Sequence, residues 1–375
     1  MLPFVLLMFV PLLFAIVGFN KISVGNGRKW AIIAGYDQRL RTHSLLIPVF
    51  FLILWALLAL RSDAVGSDTS NYLNHFRYCT QVPLNKALER GTDALFWVTT
   101  WCIGRISTDP QVYLAIIAAI TVIPIAIVYC EDREYGFMKT VMFMNMTTFI
   151  MIFSGLRQAI AMSIGVIAYE LVKRKKLILF LIVAAIALGF HHSGFIVFLF
   201  YPIYHFKIKL KHLWFIVPLI VVVFIFNTQI FGFMSELLTS IFGEDYDREV
   251  IETGAFTTLV MFILLSVLSY VLPDEKKMDS ETFGLRNFLL VAVVFQCFSP
   301  VHPLAMRLNY YFIIFIPILV PKIFKYTKDC FKNIEWIFRW AIVGFYLYHY
   351  LSKTYESCVT GISSLNTYPY LPFWQ

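Results

Sequence analysis

Charged side chains are scarce in this sequence. Lys, Arg, Asp and Glu make up 14% of its 375 residues, hydrophobic residues make up 59%, and the mean hydropathy is +0.73. A soluble domain carries about 25% charged residues, so this composition excludes an ordinary water-soluble fold. Apolar runs of about 15 to 20 residues recur along the chain, long enough or nearly long enough to cross a hydrocarbon core about 30 Å thick. The sequence therefore predicts an integral membrane protein.

The apolar runs also lack the alternation of apolar and polar residues that a membrane β-barrel strand needs, as 178–188 illustrates. Backbone polar groups in lipid must be satisfied internally, so helices remain. We predict an all-α, polytopic transmembrane helical bundle with about 11–13 spans. The predicted spans are 2–19, 44–61, 111–130, 138–153, 156–172, 177–190, 193–206, 213–232, 255–272, 285–300, 304–323 and 335–351.

Cysteine pairs and a signal peptide are missing as well. None of the six cysteines has C-x-x-C spacing, so neither a structural metal nor a redox site is predicted, and no cofactor is expected. The run Met1–Gly18 has no basic n-region and no A-x-A cleavage site, so it is predicted to be a span. With no internal repeat and no soluble segment, residues 1–375 are predicted to form a single integral membrane domain.

The charges that are present predict the orientation. The net charge is +8, but the basic residues lie in short loops at 21–43, 173–176, 207–212 and 322–332. This distribution is typical of cytoplasmic loops under the positive-inside rule, and no nucleic-acid partner is predicted. The loop 232–254 is acidic and is predicted to lie outside.

One consequence concerns the turn His191-His192-Ser193-Gly194. If the loops 173–176 and 207–212 are both cytoplasmic, the chain between them goes out and returns, so this turn faces outward. The same count places Ser154–Arg157 and Ser299–Arg307 on the outer side, and both termini outside. The number of membrane crossings agrees with these loop positions only if Ala94–Ser107 does not cross the membrane. We therefore predict that 61–110 is an outer loop with a re-entrant or interfacial helix.

Arg157 is the first candidate site residue. It lies between two apolar stretches with no acidic residue nearby in the sequence. Ionisable residues at membrane depth are costly, which favours a functional role; the alternative is an arginine that snorkels from a helix end. Because Arg157 also opens a predicted helix, its guanidinium and the backbone N–H groups could hold a phosphate.

His191, His192 and Ser193 are the second candidate group. Their place at an outward turn favours proton transfer or hydrogen bonds to a substrate, although a histidine in a membrane protein is often a packing residue. A zinc site is disfavoured, because adjacent residues rarely chelate one ion and no third ligand is near in the sequence.

Asp68 and Arg307 complete the first-choice candidates. Asp68 either caps a helix beginning near Thr69 or acts as a base or sugar-hydroxyl acceptor. Arg307 either pairs with an outer carboxylate or, together with Arg157, neutralises a diphosphate leaving group without a metal ion.

Several short motifs, in their order along the chain, resemble the EpsG-like family of bacterial polysaccharide polymerases, relatives of the Wzy proteins. The matching pieces are Gly66-x-Asp68-x-x-x-Tyr72-x-x-x-Phe76, Glu89-x-Gly91, Ser154-x-Leu156-Arg157-Gln158-x-x-Ala161, Phe190-His191-x-Ser193, Arg307-x-x-x-Tyr311 and Tyr368-Pro369-Tyr370. They extend from about residue 61 to the C-terminus. The sequence departs from the family pattern in having His191 and His192 side by side, which leaves open which of them acts.

The resemblance implies an enzyme that polymerises O-antigen, capsule or exopolysaccharide repeat units. Its donor and acceptor would both be undecaprenyl-diphosphate-linked oligosaccharides, in a bacterial cytoplasmic membrane, with the site facing the periplasm or exterior. The lipid bilayer and a chain-length regulator protein are the further expected partners. The candidate catalytic residues are Asp68, His191, His192 and Arg157, and the candidate substrate-binding residues are Arg157, Gln158, Arg307, Tyr72, Tyr311, His302, Ser193 and Glu89.

Three other functions fit a polytopic protein of this kind. A membrane acyltransferase that modifies surface glycans would need a route for a cytoplasmic acyl donor, whereas the candidate residues are predicted outside. A lipid-linked oligosaccharide flippase or transporter would tend to show two repeated halves, which the sequence lacks. An O-antigen ligase would share chemistry and topology with the polymerase.

Overall fold

The computed structural model of the chain describes residues 2–19, 45–89, 91–131, 135–242, 255–301, 303–361 and 363–375. Within these ranges the chain forms 18 α-helices, short 3-10 helices and two isolated bridges, without strands. The all-α prediction is confirmed. The helices are α1 Leu2–Phe19, α2 Leu46–Ala59, α3 Thr69–Gln81, α4 Leu84–Leu88, α5 Ala94–Ile106, α6 Pro110–Glu131, α7 Gly136–Asn145, α8 Thr147–Ser154, α9 Leu156–Lys173, α10 Leu177–Phe190, α11 Phe200–His205, α12 Leu213–Ile225, α13 Asn227–Phe242, α14 Ala255–Val271, α15 Ser280–Phe298, α16 Pro303–Ile313, α17 Ile316–Lys325 and α18 Glu335–Thr360.

Some of the helices have the length and composition of membrane spans. Among the described residues, α6 and α15 are each long and apolar enough to cross a membrane, and the number rises to five if each of three bent helix pairs is one span. Further apolar helices of 10–17 residues include α2, α10 and α5. At 1.5 Å per residue, α5 is about 20 Å long, shorter than a hydrocarbon core of about 30 Å. The non-spanning helix in 61–110 remains a prediction.

The chain divides into two compact units. The first comprises Met1–Val197 and Arg339–Gln375, and the second comprises Phe198–Phe338. The single membrane domain expected from the sequence remains a prediction. The predicted acidic loop 232–254 begins within α13, and its residues 243–254 lie outside the described residues.

In the first compact unit, α9 packs against both α6 and α10. The hydroxyl of Ser163 donates to the carbonyl of Thr121 at 2.6 Å, which fixes α9 against α6. Above this contact, the rings of Phe76 on α3 and Tyr113 on α6 stack with their centroids 4.4 Å apart. These rings belong to a buried cluster shared by α3, α5, α6 and α9, so the short helices of 61–110 rest on the long ones.

Charged residues lie at both ends of α9. At its C-terminal end, Lys173 forms ion pairs of 2.8 Å with both Glu131 and Glu170, beside the basic loop 173–176. Arg157 lies at its N-terminal end. The 18 residues of α9 extend over about 27 Å at 1.5 Å per residue, so the basic loop and Arg157 lie at opposite ends of one membrane-length helix.

In the second compact unit, a fully buried arginine ties the loops together. Arg286 is 0% exposed; it donates to the carbonyl of Ile208 at 2.6 Å and pairs with Glu275 at 2.9 Å. The adjacent Asp274 N–H donates to the carbonyl of Tyr326 at 2.7 Å. The basic loops 207–212 and 322–332 therefore share one end of this unit, in agreement with their prediction as loops of one side.

Candidate functional site

A buried carboxylate outside the predicted site set lies at the centre of the candidate site. Asp93 precedes α5 and is only 2% exposed. Its Oδ2 lies 2.6 Å from Nη1 of Arg157, the second residue of α9. The Arg157 side chain keeps 34% of its surface exposed. Arg157 therefore has an acidic partner that its neighbouring sequence lacks, and part of its side chain remains exposed.

The other oxygen of Asp93 binds the histidine turn. Oδ1 accepts the backbone N–H of His192 at 3.2 Å, and Nδ1 of the His192 ring lies 3.9 Å from the same oxygen. Asp93 thus joins the start of α5 to the start of α9 and to the end of α10.

Close helix packing brings Asp93 to this turn. A Cβ atom on Gly189 of α10 would lie 2.6 Å from Cδ1 of Leu95 on α5, so a side chain there would push the two helices apart. Below this contact, Phe96 of α5 and Leu156 of α9 belong to the same buried cluster. The glycine and the apolar cluster together determine where the three polar groups meet.

His191 is held in one tautomer. Its side chain is buried, and its Nδ1 accepts the backbone N–H of Ser193 at 3.1 Å. A backbone N–H can only donate, so a neutral His191 ring carries its proton on Nε2. The rings of His191 and His192 lie 4.2 Å apart. The two histidines therefore have different surroundings, with His191 bound to its own turn and His192 next to Asp93.

Tyr72 and Asp68 extend the site on the α3 side. The buried hydroxyl of Tyr72 forms a hydrogen bond with the Arg157 side chain. Burial raises the pKa of Tyr72, the positive charge of Arg157 opposes that rise, and the negative charge of Asp68 adds to it. Asp68 stands directly before α3, but its side chain makes no capping hydrogen bond. The alternative that Asp68 serves only as a helix cap is therefore not supported.

Burial and nearby positive charges have opposite effects on the pKa of Asp93. Burial raises the pKa of this carboxyl group, while the nearby charges of Arg157 and His192 oppose the rise. A bound anion that draws the guanidinium away would remove the stronger of the two opposing charges, and Asp93 would then hold a proton more readily. Any ligand that displaced the guanidinium would therefore also favour the protonated form of Asp93.

Of the eleven predicted site residues, six lie together in the first compact unit: Asp68, Tyr72, Arg157, His191, His192 and Ser193. Gln158 is adjacent to Arg157 but is itself buried. Glu89 is exposed, and its carboxylate pairs with Lys86 at 3.0 Å. For Gln158 and Glu89 a role in substrate binding remains a prediction.

The remaining three belong elsewhere in the chain. Arg307 and Tyr311 lie on α16 in the second compact unit, where Tyr311 is fully buried. His302 lies outside the described residues. The predicted partnership of Arg307 with Arg157 remains a prediction.

A metal ion is the alternative occupant of this cluster. Ligand atoms of Asp93, His191 and His192 lie within 4.8 Å of one another, and Asp93 is the third ligand that the neighbouring sequence lacks. However, both oxygens of Asp93 already accept N–H groups, and so does Nδ1 of His191. A cation would also lie close to the Arg157 guanidinium, which repels it. The hydrogen bonds favour the ion pair over a metal centre.

The sequence signal for Asp93 is weak. It follows Gly91-Thr92 and stands before an apolar helix, which is the pattern of an ordinary helix cap. Its significance depends on Arg157, which lies 64 positions further along the chain. An acidic residue that balances the charge of Arg157 could have been sought in the predicted outer segments. Asp93 would have been one of several candidates.

Comparison with known proteins provides the family. The model of the EpsG family matches residues 44–371. The chain belongs to the EpsG family. No match is found among curated proteins or among solved structures. The resemblance predicted from the motifs is confirmed, and EpsG membership implies a membrane protein of polysaccharide biosynthesis, in general terms a polysaccharide polymerase.

Two EpsG motifs pack directly against each other. Gly66 has φ +91°, and a Cβ atom there would lie 2.2 Å from the carbonyl oxygen of Phe153. Next to it, the hydroxyls of Ser67 and Ser154 lie 2.6 Å apart. The first EpsG motif therefore rests on the turn that leads into Arg157, and glycine is required for its close approach.

We expect Gly66→Ala to destabilise the protein by about 1–3 kcal/mol, because the positive φ and the steric overlap with Phe153 both oppose a side chain. Thermal unfolding of the purified protein in detergent measures this effect. Gly344→Ala is the matched control, because nothing lies within 4 Å of its added Cβ atom. Equal unfolding temperatures for the two variants would contradict the packing of the EpsG motifs.

Proposed function

We propose that this EpsG protein joins undecaprenyl-diphosphate-linked repeat units into a polysaccharide at the outer face of the cytoplasmic membrane. The observation that carries the proposal is the Asp93–Arg157 ion pair beside the His191–His192 turn, at the opening of a membrane-length helix. Lipid-linked oligosaccharides serve as donor and acceptor, and the bilayer holds their lipid. No cofactor takes part. A chain-length regulator protein is a further proposed partner.

The two ends of α9 support the outer placement. The basic loop 173–176 lies at one end and the cluster around Arg157 at the other, about 27 Å away by helix rise. Short loops rich in Lys and Arg remain cytoplasmic, so the cluster is assigned to the opposite face.

Cysteine labelling in intact cells tests this orientation. Glu89→Cys places a thiol at an exposed position of the segment that bears the cluster, and Lys175→Cys places one in the basic loop. An impermeant maleimide is expected to label the first variant above the background of the natural cysteines, and the second only after lysis. The reverse pattern would place the cluster in the cytoplasm.

Arg157 is the proposed phosphate-binding residue. It lies in the first turn of α9, where backbone N–H groups favour an anion. Its side chain is one third exposed, and its buried Nε makes no hydrogen bond within the described part of the chain. An arginine with donors to spare at a helix N-terminus suits the diphosphate of a lipid-linked glycan.

The proposed reaction is a glycosyl transfer. A hydroxyl oxygen of the acceptor glycan attacks the anomeric carbon of the donor, and a new carbon–oxygen bond forms. The bond between that carbon and the phosphate oxygen breaks, and its electron pair leaves with undecaprenyl diphosphate. Arg157 stabilises the charge that grows on the phosphate. His192, with Asp93 beside it, accepts the hydroxyl proton, and Asp68 is the alternative base.

His191 has a different proposed role. Because its Nδ1 already accepts the N–H of Ser193, the neutral ring acts as a donor from Nε2, directed to a phosphate or sugar oxygen. The side-by-side histidines of this chain are thus a donor and a base.

Two substitutions separate these roles. His191→Asn keeps an acceptor for the Ser193 N–H but removes the Nε2 donor, and His192→Ala removes the base. We expect each to lower the rate of polymer formation by about 100-fold or more, measured with purified protein and lipid-linked repeat units. His349→Asn, on α18, is the control and should keep the normal rate. Normal activity in His191→Asn would restrict this residue to holding the turn.

The surface glycan of a deletion strain tests the function as a whole. Loss of the polymerase should leave a single repeat unit on the lipid A core or the cell surface, seen as one band instead of a ladder on a gel. Absence of all glycan would indicate a ligase or a flippase, and a full ladder without acetyl groups would indicate an acyltransferase. Either result would overturn the proposal.

A further inference from the structure

A second guanidinium of the first compact unit is buried, and no acidic side chain among the described residues pairs with it. Arg61, just after α2, is only 1% exposed. Its Nε and Nη2 are buried and donate no hydrogen bond within the described part of the chain, and the neighbouring Ser62 hydroxyl is buried without a hydrogen-bond partner there as well. An unpaired charge in such surroundings is costly, which is unusual for a side chain whose only task is packing.

A cation–π contact accounts for little of this cost. The Cζ atom of Arg61 lies 5.9 Å from the centre of the Phe153 ring, at the outer limit of a cation–π contact. Carbonyl groups at the end of α2 give some further stabilisation through the helix dipole. Neither supplies hydrogen-bond acceptors for the unused N–H groups.

The C-terminal segment, Leu365–Phe373, covers Arg61. Arg61 and Pro372 form an isolated antiparallel bridge. The Ser62 N–H donates to the carbonyl of Leu371 at 2.8 Å, and the Phe373 N–H donates to the carbonyl of Leu60 at 2.9 Å. The hydroxyl of Tyr370 donates to the carbonyl of Leu57 at 2.8 Å. Further along, Gly66 and Ser67 N–H groups donate to the carbonyls of Asn366 and Leu365 at 2.9 Å. The segment contains no acidic residue, so it supplies no carboxylate to the guanidinium.

Phe153 connects Arg61 to the segment that carries the proposed phosphate site. Phe153, whose ring faces Arg61, stands four positions before Arg157. The Gly66–Thr69 turn packs against the carbonyl of Phe153, to which Thr69 Oγ1 donates a hydrogen bond at 3.4 Å. The two arginines therefore flank the same short turn between α8 and α9.

We propose that Arg61, with the Ser62 hydroxyl, forms a subsite for a phosphate group, which enters when the C-terminal segment moves away from residues 60–62. The assignment of that phosphate to the diphosphate of a lipid-linked glycan rests on the proposed function. Within the first compact unit, Arg61 then joins Arg157 as a second guanidinium for the anionic part of the substrate.

Thermal unfolding of the full-length protein in nanodiscs tests the subsite, with inorganic pyrophosphate as the probe. Arg61→Met removes the charge and keeps the bulk. We expect its unfolding temperature without pyrophosphate to equal or exceed that of the unsubstituted protein, because an unpaired buried charge is gone. The pyrophosphate concentration for half-maximal stabilisation should rise at least tenfold.

Arg286→Met is the matched control, because Arg286 is equally buried but has an acidic partner, Glu275, and donates to the carbonyl of Ile208. It should lower the unfolding temperature and leave the response to pyrophosphate unchanged. If Arg61→Met instead behaves like Arg286→Met, Arg61 is a packing residue and the proposal is overturned.

Two further arms identify the anion and the cover. Nanodiscs of phosphatidylcholine alone are compared with nanodiscs containing phosphatidylglycerol. If phosphatidylglycerol alone gives the stabilisation that depends on Arg61, the phosphate belongs to a bilayer lipid. That result would refute the substrate subsite. Tyr370→Phe, which loses the bond to Leu57, should lower the pyrophosphate concentration needed, because the segment opens more easily.

The subsite and the proposed function can fail separately. If Arg157→Ala abolishes polymer but Arg61→Met leaves the pyrophosphate response unchanged, only the subsite is refuted. If Arg157→Ala still forms polymer while Arg61→Met loses the response, the phosphate subsite stands without the proposed catalytic role of Arg157.

Discussion

Arg157→Ala is expected to abolish polymer while leaving normal amounts of the protein in the membrane. Removing one preorganised donor from a developing negative charge typically lowers a rate by about 100- to 1,000-fold. Arg157 is the most exposed charged group of the cluster, and it lies at a helix N-terminus. A loss of this size would reduce a long glycan ladder to single repeat units on a gel.

Arg157→Lys is expected to be nearly as inactive, although it keeps the charge. A lysine ammonium is a point charge and cannot form two parallel hydrogen bonds to a phosphate. It would also lose the simultaneous contact that Arg157 makes with Asp93 and Tyr72.

The control for both variants is Arg77→Ala. Arg77 lies on α3 in the segment 61–110, is exposed, and its side chain bonds only to Asn74, at 2.9 Å, in the described part of the chain. It should give a normal ladder. A normal ladder from Arg157→Ala would remove Arg157 from the mechanism.

Asp93→Asn is expected to lower the polymerisation rate by about 10- to 100-fold, because a small displacement of a substrate-binding group has an effect of that order. Asparagine keeps an acceptor for the His192 N–H but cannot form the ion pair with Arg157. The apparent KM for the lipid-linked donor should rise, because the guanidinium is no longer held in position. Asp63→Asn, at an exposed position of the same segment, should behave like the unsubstituted protein.

A double-mutant cycle separates positioning from direct catalysis. If Asp93 acts through Arg157, then adding Asp93→Asn to Arg157→Ala should cost much less than Asp93→Asn costs alone. Fully multiplicative effects of the two substitutions would mean that Asp93 acts independently, for example as the proton acceptor itself.

The parts of the site that the sequence predicted are those with a local signal. Arg157 is identifiable because a charge interrupts apolar runs, and the histidine turn because two basic loops flank its hairpin. Asp93 has no such signal, since its neighbours suggest only a helix start. Its function depends on Gly189 allowing α10 to approach Leu95, a contact between distant segments.

The helix breaks show the same limit. Residues 138–153 were predicted as one span, but α7 and α8 meet there at an angle of 61°. The predicted span 193–206 begins as a 3-10 helix from His192 to Leu199 before α11. Hydropathy averages over a window, so it detects the apolar length of a segment but not a change of its direction.

The sequence by itself determined that this is a membrane protein, that it is all-helical, that its basic residues cluster in loops and which family it belongs to. Each of these properties depends on composition or on short ordered motifs. The tertiary structure alone decided that Asp93 pairs with Arg157, that His191 and His192 differ, and that Arg61 is buried under the C-terminal segment. The physical reason is that ion pairs and hydrogen bonds act over a few ångströms in space, whatever the distance along the chain.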